Sequence, residues 1–205
     1  GAGYPRRSAT PAESPGIRVT TEDKPQILRP KIGLALGGGG TRGAAHIGVL
    51  KVLDKEGIKI VFVAGTSMGA IVGGLYCAGL AIDKIEELIC NKKLMHSYLT
   101  VPIPVRIAAV PVFFLPHMLG YHPYDGLYKG RKFANFMTKA VSEDCRQIEN
   151  MKIPFCAVAA NLLDGKAYGI TSGDFGRAVQ ASSALPFLRR PVELGDKLLV
   201  DGGVV

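Results

Sequence analysis

Short unbroken apolar runs alternate with stretches of helical periodicity along most of this chain. Residues 31–36 form one such run, followed by consecutive glycines and then by Ala44, Ile47, Leu50 and Leu53 at intervals of three, with Lys51, Asp54 and Lys55 off that face. The spacing predicts an amphipathic helix through Glu56, with Gly57 as its C-cap. Residues 58–64 form a second apolar run, which passes through Gly65-Thr66-Ser67-Met68-Gly69 into the small-residue stretch 70–74. Residues 130–141 place Phe133, Phe136 and Met137 on one helical face. Residues 155–160 and 166–170 read as strands around Leu163-Asp164-Gly165-Lys166, where Asp-Gly is a hairpin signal. Asp174 is placed to cap a short helix running to Gln180, and residues 198–200 form the last apolar strand. Strands that are continuous apolar runs between helical segments predict an α/β fold, with a mostly parallel central sheet covered by helices on both faces.

With 205 residues, 47% of them hydrophobic, the chain suits one domain with a sizeable core, expected over residues 31–205. Residues 1–30 differ in texture: they are polar, contain five prolines and few large apolar residues, and are expected to form an extended arm. This arm has no initiator Met, no signal-type apolar segment and no span-length hydrophobic run, so the chain is read as a processed or shortened form. The four cysteines, at 77, 90, 145 and 156, show neither C-x-x-C nor metal-ligand spacing. They suit reduced core and helix positions, which favours a reducing compartment. The expected location is the cytoplasm or the periphery of a membrane, the alternative being export with a targeting segment removed.

The excess of positive charge is local. Between positions 91 and 140, seven lysines and arginines (92, 93, 106, 129, 131, 132 and 139) face one acid, Asp125, and they account for most of the formal net charge of +8. Within this stretch, prolines at 102, 104, 111 and 116 interrupt an apolar sequence and argue against a continuous spanning helix. Residues 95–128 are expected to form an apolar cap or lid, or an irregular packed insertion. Basic flanks beside apolar residues suit an anionic membrane surface. No basic–aromatic motif of a nucleic-acid reader is present, so nucleic acid is not an expected partner.

Three residue groups carry chemistry. Gly65-Thr66-Ser67-Met68-Gly69 is a G-x-S-x-G turn between an apolar run and a helix, the form of a nucleophile elbow. Glycines at 65 and 69 leave room for close strand–helix packing, and the helix N-terminus favours developing negative charge. Gly37-Gly38-Gly39-Gly40-Thr41-Arg42-Gly43, again between strand and helix, frees backbone N–H groups to converge on an anion. Such a loop serves either a dinucleotide pyrophosphate or an oxyanion hole. A dinucleotide site also wants an acid about 20 residues on, at the end of the next strand, where this chain places Ser67 instead. Asp201-Gly202-Gly203 sets a carboxylate at a strand end, a position that an ordinary Asp-Gly turn also explains. Asp125, Asp164 and Asp174 are rival carboxylates, two of them with turn or cap roles.

The order of glycine-rich loop, serine elbow and Asp-Gly-Gly resembles the patatin-like phospholipase family. So does the small-residue block Ala181-Ser182-Ser183-Ala184-Leu185-Pro186 before the last strand, and the resemblance runs from residue 31 to 205. It implies a three-layer α/β/α lipid acyl hydrolase with a Ser–Asp dyad, Ser67 being the nucleophile and Asp201 the proton acceptor. It also implies an oxyanion hole from the backbone N–H groups of Gly38, Gly39, Gly40 and Met68, with Arg42, Gly43, Gly65, Gly69 and Gly202 in supporting places. The implied substrates are phospholipids or related fatty-acyl esters, with no metal or organic cofactor. The alternatives are a soluble carboxylesterase or thioesterase for short acyl chains, and a lipid-binding module without turnover. Domains of this family continue past Asp-Gly-Gly, so the resemblance implies a truncated form or a remainder in a separate polypeptide.

Histidine has no obvious catalytic place. In a Ser-His-Asp triad of the α/β-hydrolase order the histidine follows the acid, and no histidine follows Asp201. His46 falls in the first helix and is expected to pack there. His96, His117 and His122 lie in or beside the Pro-rich stretch.

Overall fold

The structure is a computed structural model that describes residues 31–91, 94, 130–186 and 189–205. These residues belong to one compact unit, Lys31–Val205. The expected arm at 1–30 and cap at 95–128 lie outside the described residues.

The apolar runs become strands, joined by a short strand at Val192–Leu194 that the pattern did not announce. β1 is Ile32–Leu36, β2 Ile60–Thr66, β3 Phe155–Asn161, β4 Lys166–Ile170, β5 Val192–Leu194 and β6 Lys197–Asp201. The helices are α1 (Ala45–Lys55), α2 (Met68–Cys77), α3 (Ile82–Cys90), α4 (Arg131–Ala140) and α5 (Phe175–Ser182). Periodicity located α1 and α4, and the capping position of Asp174 located α5, to within two or three residues at each end. Gly57 ends α1 with φ 64°, a value glycine adopts freely. Asp174 caps α5 as its sequence position predicts, accepting a hydrogen bond of 2.8 Å from the Arg177 N–H. α3 was not foreseen. Its apolar Ile82, Ile85, Leu88 and Ile89 have helical spacing, yet Ala81 offers no side-chain cap to announce the start.

The strands build one six-stranded sheet in the order β1-β2-β3-β6-β5, with β4 also paired to β3. β1, β2 and β3 run parallel. β4 and β6 pair antiparallel with β3, and β5 antiparallel with β6. The predicted Asp164-Gly165 turn closes the β3–β4 hairpin. The strand register then decides where the motifs meet. β4 pairs with residues 157–161 of β3 and so occupies one of its two edges. β2 pairs with residues 155–158 and β6 with residues 159–161, so both must share the other edge, one following the other. β2 ends where Thr66 faces Val158, and the next β3 residue, Ala159, faces Asp201. The C-terminal end of β2 therefore abuts the C-terminal end of β6, although 135 positions of chain separate Thr66 from Asp201.

Both βαβ crossovers advance the same way across the sheet, and their usual right-handedness puts α1 and α2 on a common face. α2 lies against β2 and β3, and α5 joins it on β3 and β6. Close approach depends on glycine. A Cβ on Gly73 would come within 2.9 Å of Val63 Cγ1, and one on Gly74 within 2.2 Å of the Phe175 ring. Leu50, Val63, Ile71, Leu75, Phe133, Phe155, Phe175 and Leu199 fill this core. On the opposite face of the sheet Phe62 is 40% exposed.

All four cysteines are free thiols. Burial at the end of α2 pushes the Cys77 thiol up to about 12, and burial also raises the half-buried Cys156. An unfolded thiol ionises near 9, so between about pH 9 and 12 the unfolded chain binds fewer protons and stability falls as pH rises. Urea midpoints measured at pH 8 and pH 11 should therefore diverge less in Cys77→Ala than in the unaltered chain.

Candidate active site

Ser67 stands between β2 and α2 with φ 53° and ψ −117°, the one positive φ at a non-glycine residue among the described residues. Such a conformation costs on the order of 1–3 kcal/mol and persists only where the surroundings enforce it. The enforcement is visible. A Cβ on Gly65 would lie 2.4 Å from the Gly69 carbonyl oxygen, and one on Gly69 would lie 2.1 Å from that of Leu36. Strand and helix thus meet backbone to backbone on both sides of the serine, as the two glycines suggested. The Ser67 carbonyl accepts from the N–H groups of Ala70 and Ile71 at 3.0 and 3.1 Å, which starts α2 directly behind the turn.

The glycine loop reaches the same place from β1. Gly39 and Gly40 have φ of 144° and 57°, values open to glycine, and the chain then winds through a 3-10 turn at Gly40–Ala44 into α1. A Cβ on Gly38 would stand 3.4 Å from Ser67 Cβ. Gly43 is buried under Met68, whose Cγ would be 2.1 Å from an added Cβ, so the loop and the start of α2 interlock. His46 Nε2 lies 2.9 Å from the Gly37 carbonyl oxygen. The histidine expected simply to pack in α1 instead ties that helix to the glycine loop.

Asp201 ends β6 and is only 2% exposed. Its Oδ1 accepts from the Gly203 N–H at 2.8 Å, and its own N–H donates to the Ala184 carbonyl at 2.9 Å. Gly202 must be glycine-sized, since a Cβ there would be 2.6 Å from the Val158 carbonyl oxygen and 3.1 Å from Thr66 Cγ2.

A cavity of about 600 Å³ opens over these elements, within the size range of small-ligand sites. Gly38, Gly39, Gly40, Ser67, Met68 and Asp201 all line it, joined by Thr41, Ile71, Leu94, Phe133, Ser183, Leu185, Gly203 and Val204. Arg42, Gly43, Gly65, Gly69 and Gly202 do not line it: Arg42 is exposed, and the glycines hold the lining elements together from behind. Of the rival carboxylates, Asp164 serves the hairpin turn through the Lys166 N–H and Asp174 caps α5. Asp125 lies outside the described residues, as do His96, His117 and His122. Motif reasoning did not find the apolar wall of Ile71, Phe133 and Leu185. It also missed Ser182, whose hydroxyl accepts from the Ser67 N–H at 2.9 Å and donates to the Val158 carbonyl at 2.6 Å. Among the described residues no group of three or more His, Cys, Asp or Glu side chains is arranged to hold a metal ion. No helix among them is long and apolar enough to cross a membrane.

The family model for the patatin-like phospholipases matches residues 34–205. The chain belongs to the patatin-like phospholipase family. Among its relatives in the family, an uncharacterised NTE family protein of Mycobacterium tuberculosis (strain ATCC 25618 / H37Rv) is 35% identical over 176 residues, which is 86% of this chain and 43% of that protein. The lysophospholipase NTE1 of Mycosarcoma maydis is 33% identical over 204 residues, 98% of this chain and 10% of that protein. This patatin-like chain thus spans less than half the length of either relative. The crystal structure of VipD from Legionella pneumophila shares its fold at a TM-score of 0.52 and 17% identity, over 86% of this chain and 46% of that one. The α/β class expected from the alternating pattern stands. Parallel pairing holds where the glycine loop and the elbow sit, and antiparallel strands complete the sheet beyond them.

Proposed function

We propose that this patatin-like domain is a lipid acyl hydrolase in which Ser67 attacks a fatty-acyl ester and Asp201 takes the serine proton. The observation that carries this reading is the meeting of the two residues in one cavity walled by Ile71, Leu94, Phe133 and Leu185. A serine hydroxyl is a weak nucleophile until a neighbouring base accepts its proton. Asp201 is nearly buried and needs no histidine between itself and the hydroxyl for a direct transfer. In the first half of the cycle Ser67 Oγ bonds to the ester carbonyl carbon, and its proton passes to Asp201 and then to the departing alcohol. Water repeats the sequence on the acyl-serine and releases the fatty acid. Backbone N–H groups of Gly38, Gly39, Gly40 and Met68 are suited to stabilise the oxyanion, each donor contributing about 3 kcal/mol. The apolar wall favours a long acyl chain over a short one. Exposed Arg131 and Lys132, next to the pocket-lining Phe133, suit presentation of the cavity to an anionic lipid surface.

The test is labelling with a fluorophosphonate, which requires an activated serine, together with hydrolysis of lysophospholipid, phospholipid and esters of graded chain length. Labelling confined to Ser67, with turnover rising with chain length, is the expected result. Preference for short esters would make the protein a carboxylesterase or thioesterase. Lipid binding by a folded chain that takes no label would make it a non-catalytic module.

A further inference from the structure

We propose that residues 182–184, at the end of α5, form the positioning element of the site, with Ser182 holding Ser67 in its strained turn and Ala184 locating Asp201. The proposal rests on the acyl-hydrolase reading above. It starts from a gap in the sheet. The β2–β3 ladder ends at the pair Thr66–Val158, because the chain turns sharply at the next residue, Ser67. The Ser182 hydroxyl bridges that break. It is completely buried, accepts from the Ser67 N–H at 2.9 Å and donates to the Val158 carbonyl at 2.6 Å. One hydroxyl proton and one lone pair thus join the elbow to β3.

Two residues further on, the Ala184 carbonyl accepts from the Asp201 N–H at 2.9 Å. Ser183 stiffens the intervening turn, its Oγ donating to the Val179 carbonyl at 2.6 Å. Nucleophile and base lie 134 positions apart in the chain, yet both are referenced to the same three residues. A backbone conformation unfavourable for an L-residue persists only when its surroundings over-determine it, and the Ser182 bond is the constraint that acts on the Ser67 N–H. Small residues suit the block, since every side chain in 182–184 is buried. Ser182 does not line the cavity, so its effect passes through Ser67 and not through the substrate.

The experiment compares the unaltered chain with Ser182→Ala, Ser182→Cys and Asp174→Ala. The readouts are the second-order rate of fluorophosphonate labelling and, separately, kcat and KM for ester hydrolysis. Loss of the bridge should lower both labelling rate and kcat about 10- to 100-fold in Ser182→Ala, in keeping with the effect of small misplacements of a reacting group. KM should stay within about twofold. Ser182→Cys, with a thiol of similar shape and weaker hydrogen bonding, should fall between. Asp174→Ala removes the cap at the far end of the same helix and controls for a general loss of stability. It should melt earlier yet label at nearly the unaltered rate. A folded Ser182→Ala that labels as fast as the unaltered chain overturns the proposal, and so does an effect on KM alone or an equal loss in Asp174→Ala. Should Ser182→Ala not fold, Ser182→Cys decides by the same comparison. An unaltered chain that takes no label overturns the acyl-hydrolase reading and this proposal with it.

Discussion

Ser67→Ala is expected to abolish ester hydrolysis, with a loss of ~10^5-fold or more, and Asp201→Asn to lower kcat about 10^4-fold, each with little change in KM. These magnitudes follow what removal of a serine nucleophile or its carboxylate costs other serine hydrolases. The two substitutions are chosen to be structurally quiet. Alanine removes only the Oγ of Ser67, while the N–H and carbonyl that hold the turn belong to the backbone. Asparagine keeps an oxygen to accept from the Gly203 N–H, and the backbone bond from Asp201 to Ala184 is unaffected. A loss of activity with an unchanged melting temperature therefore reports chemistry. Steady-state hydrolysis of a long-chain ester, with thermal melts of all three proteins, makes the measurement. Substantial turnover by Ser67→Ala would remove the serine from the mechanism. Full activity in Asp201→Asn would assign the proton to another group.

Gly69→Ala should be a strongly damaging single-methyl change. The added Cβ would sit 2.1 Å from the Leu36 carbonyl oxygen, 2.6 Å from its carbon and 2.7 Å from the Gly37 oxygen. All three are backbone atoms of β1 and the loop after it, so no flexible side chain can yield. Either α2 lifts from the sheet or β1 and the glycine loop move. Overpacking of this kind costs about 3 kcal/mol, which lowers the melting temperature of a domain this size by roughly 6–12 °C. Activity should fall with it, since the loop displaced is the one proposed to carry the oxyanion donors. Gly48→Ala is the matched control. It lies on the exposed side of α1 with nothing within 4 Å of an added Cβ, so alanine there should raise stability by roughly 0.5–1 kcal/mol through helix propensity. Paired melts of the two variants check both signs. A Gly69→Ala protein as stable as its parent would show that the elbow tolerates a wider strand–helix gap than its packing allows.

Much of this site was legible in the sequence because its chemistry is local. The G-x-S-x-G turn needs glycine two residues either side of Ser67, and the contacts of Gly65 and Gly69 with neighbouring backbone show why no larger residue fits. The glycine loop was legible for a similar reason, as Gly39 and Gly40 adopt φ values that mark themselves by composition. The capping role of Asp174 and the turn at Asp164-Gly165 are equally short-range. α3 was missed because it begins at Ala81 without a polar cap, leaving only periodicity to reveal it. His46 was read as a packed helix residue because nothing in its own helix shows that the Gly37 carbonyl lies within reach.

By itself the sequence determined most of the succession of strands and helices, the conformational demands at Ser67 and the glycine loop, and, through the order of its motifs, the family. These depend on interactions spanning a few residues, so each leaves its mark where it acts. Only the tertiary structure decided that Asp201 and Ser67 line one cavity. That proximity arises because β2 and β6 share one edge of β3, a choice made by strand register over 135 positions of chain and invisible in either motif alone. It also decided that Ser182 bridges the elbow and β3, since a buried hydroxyl acquires its role from the N–H and the carbonyl that folding brings to it.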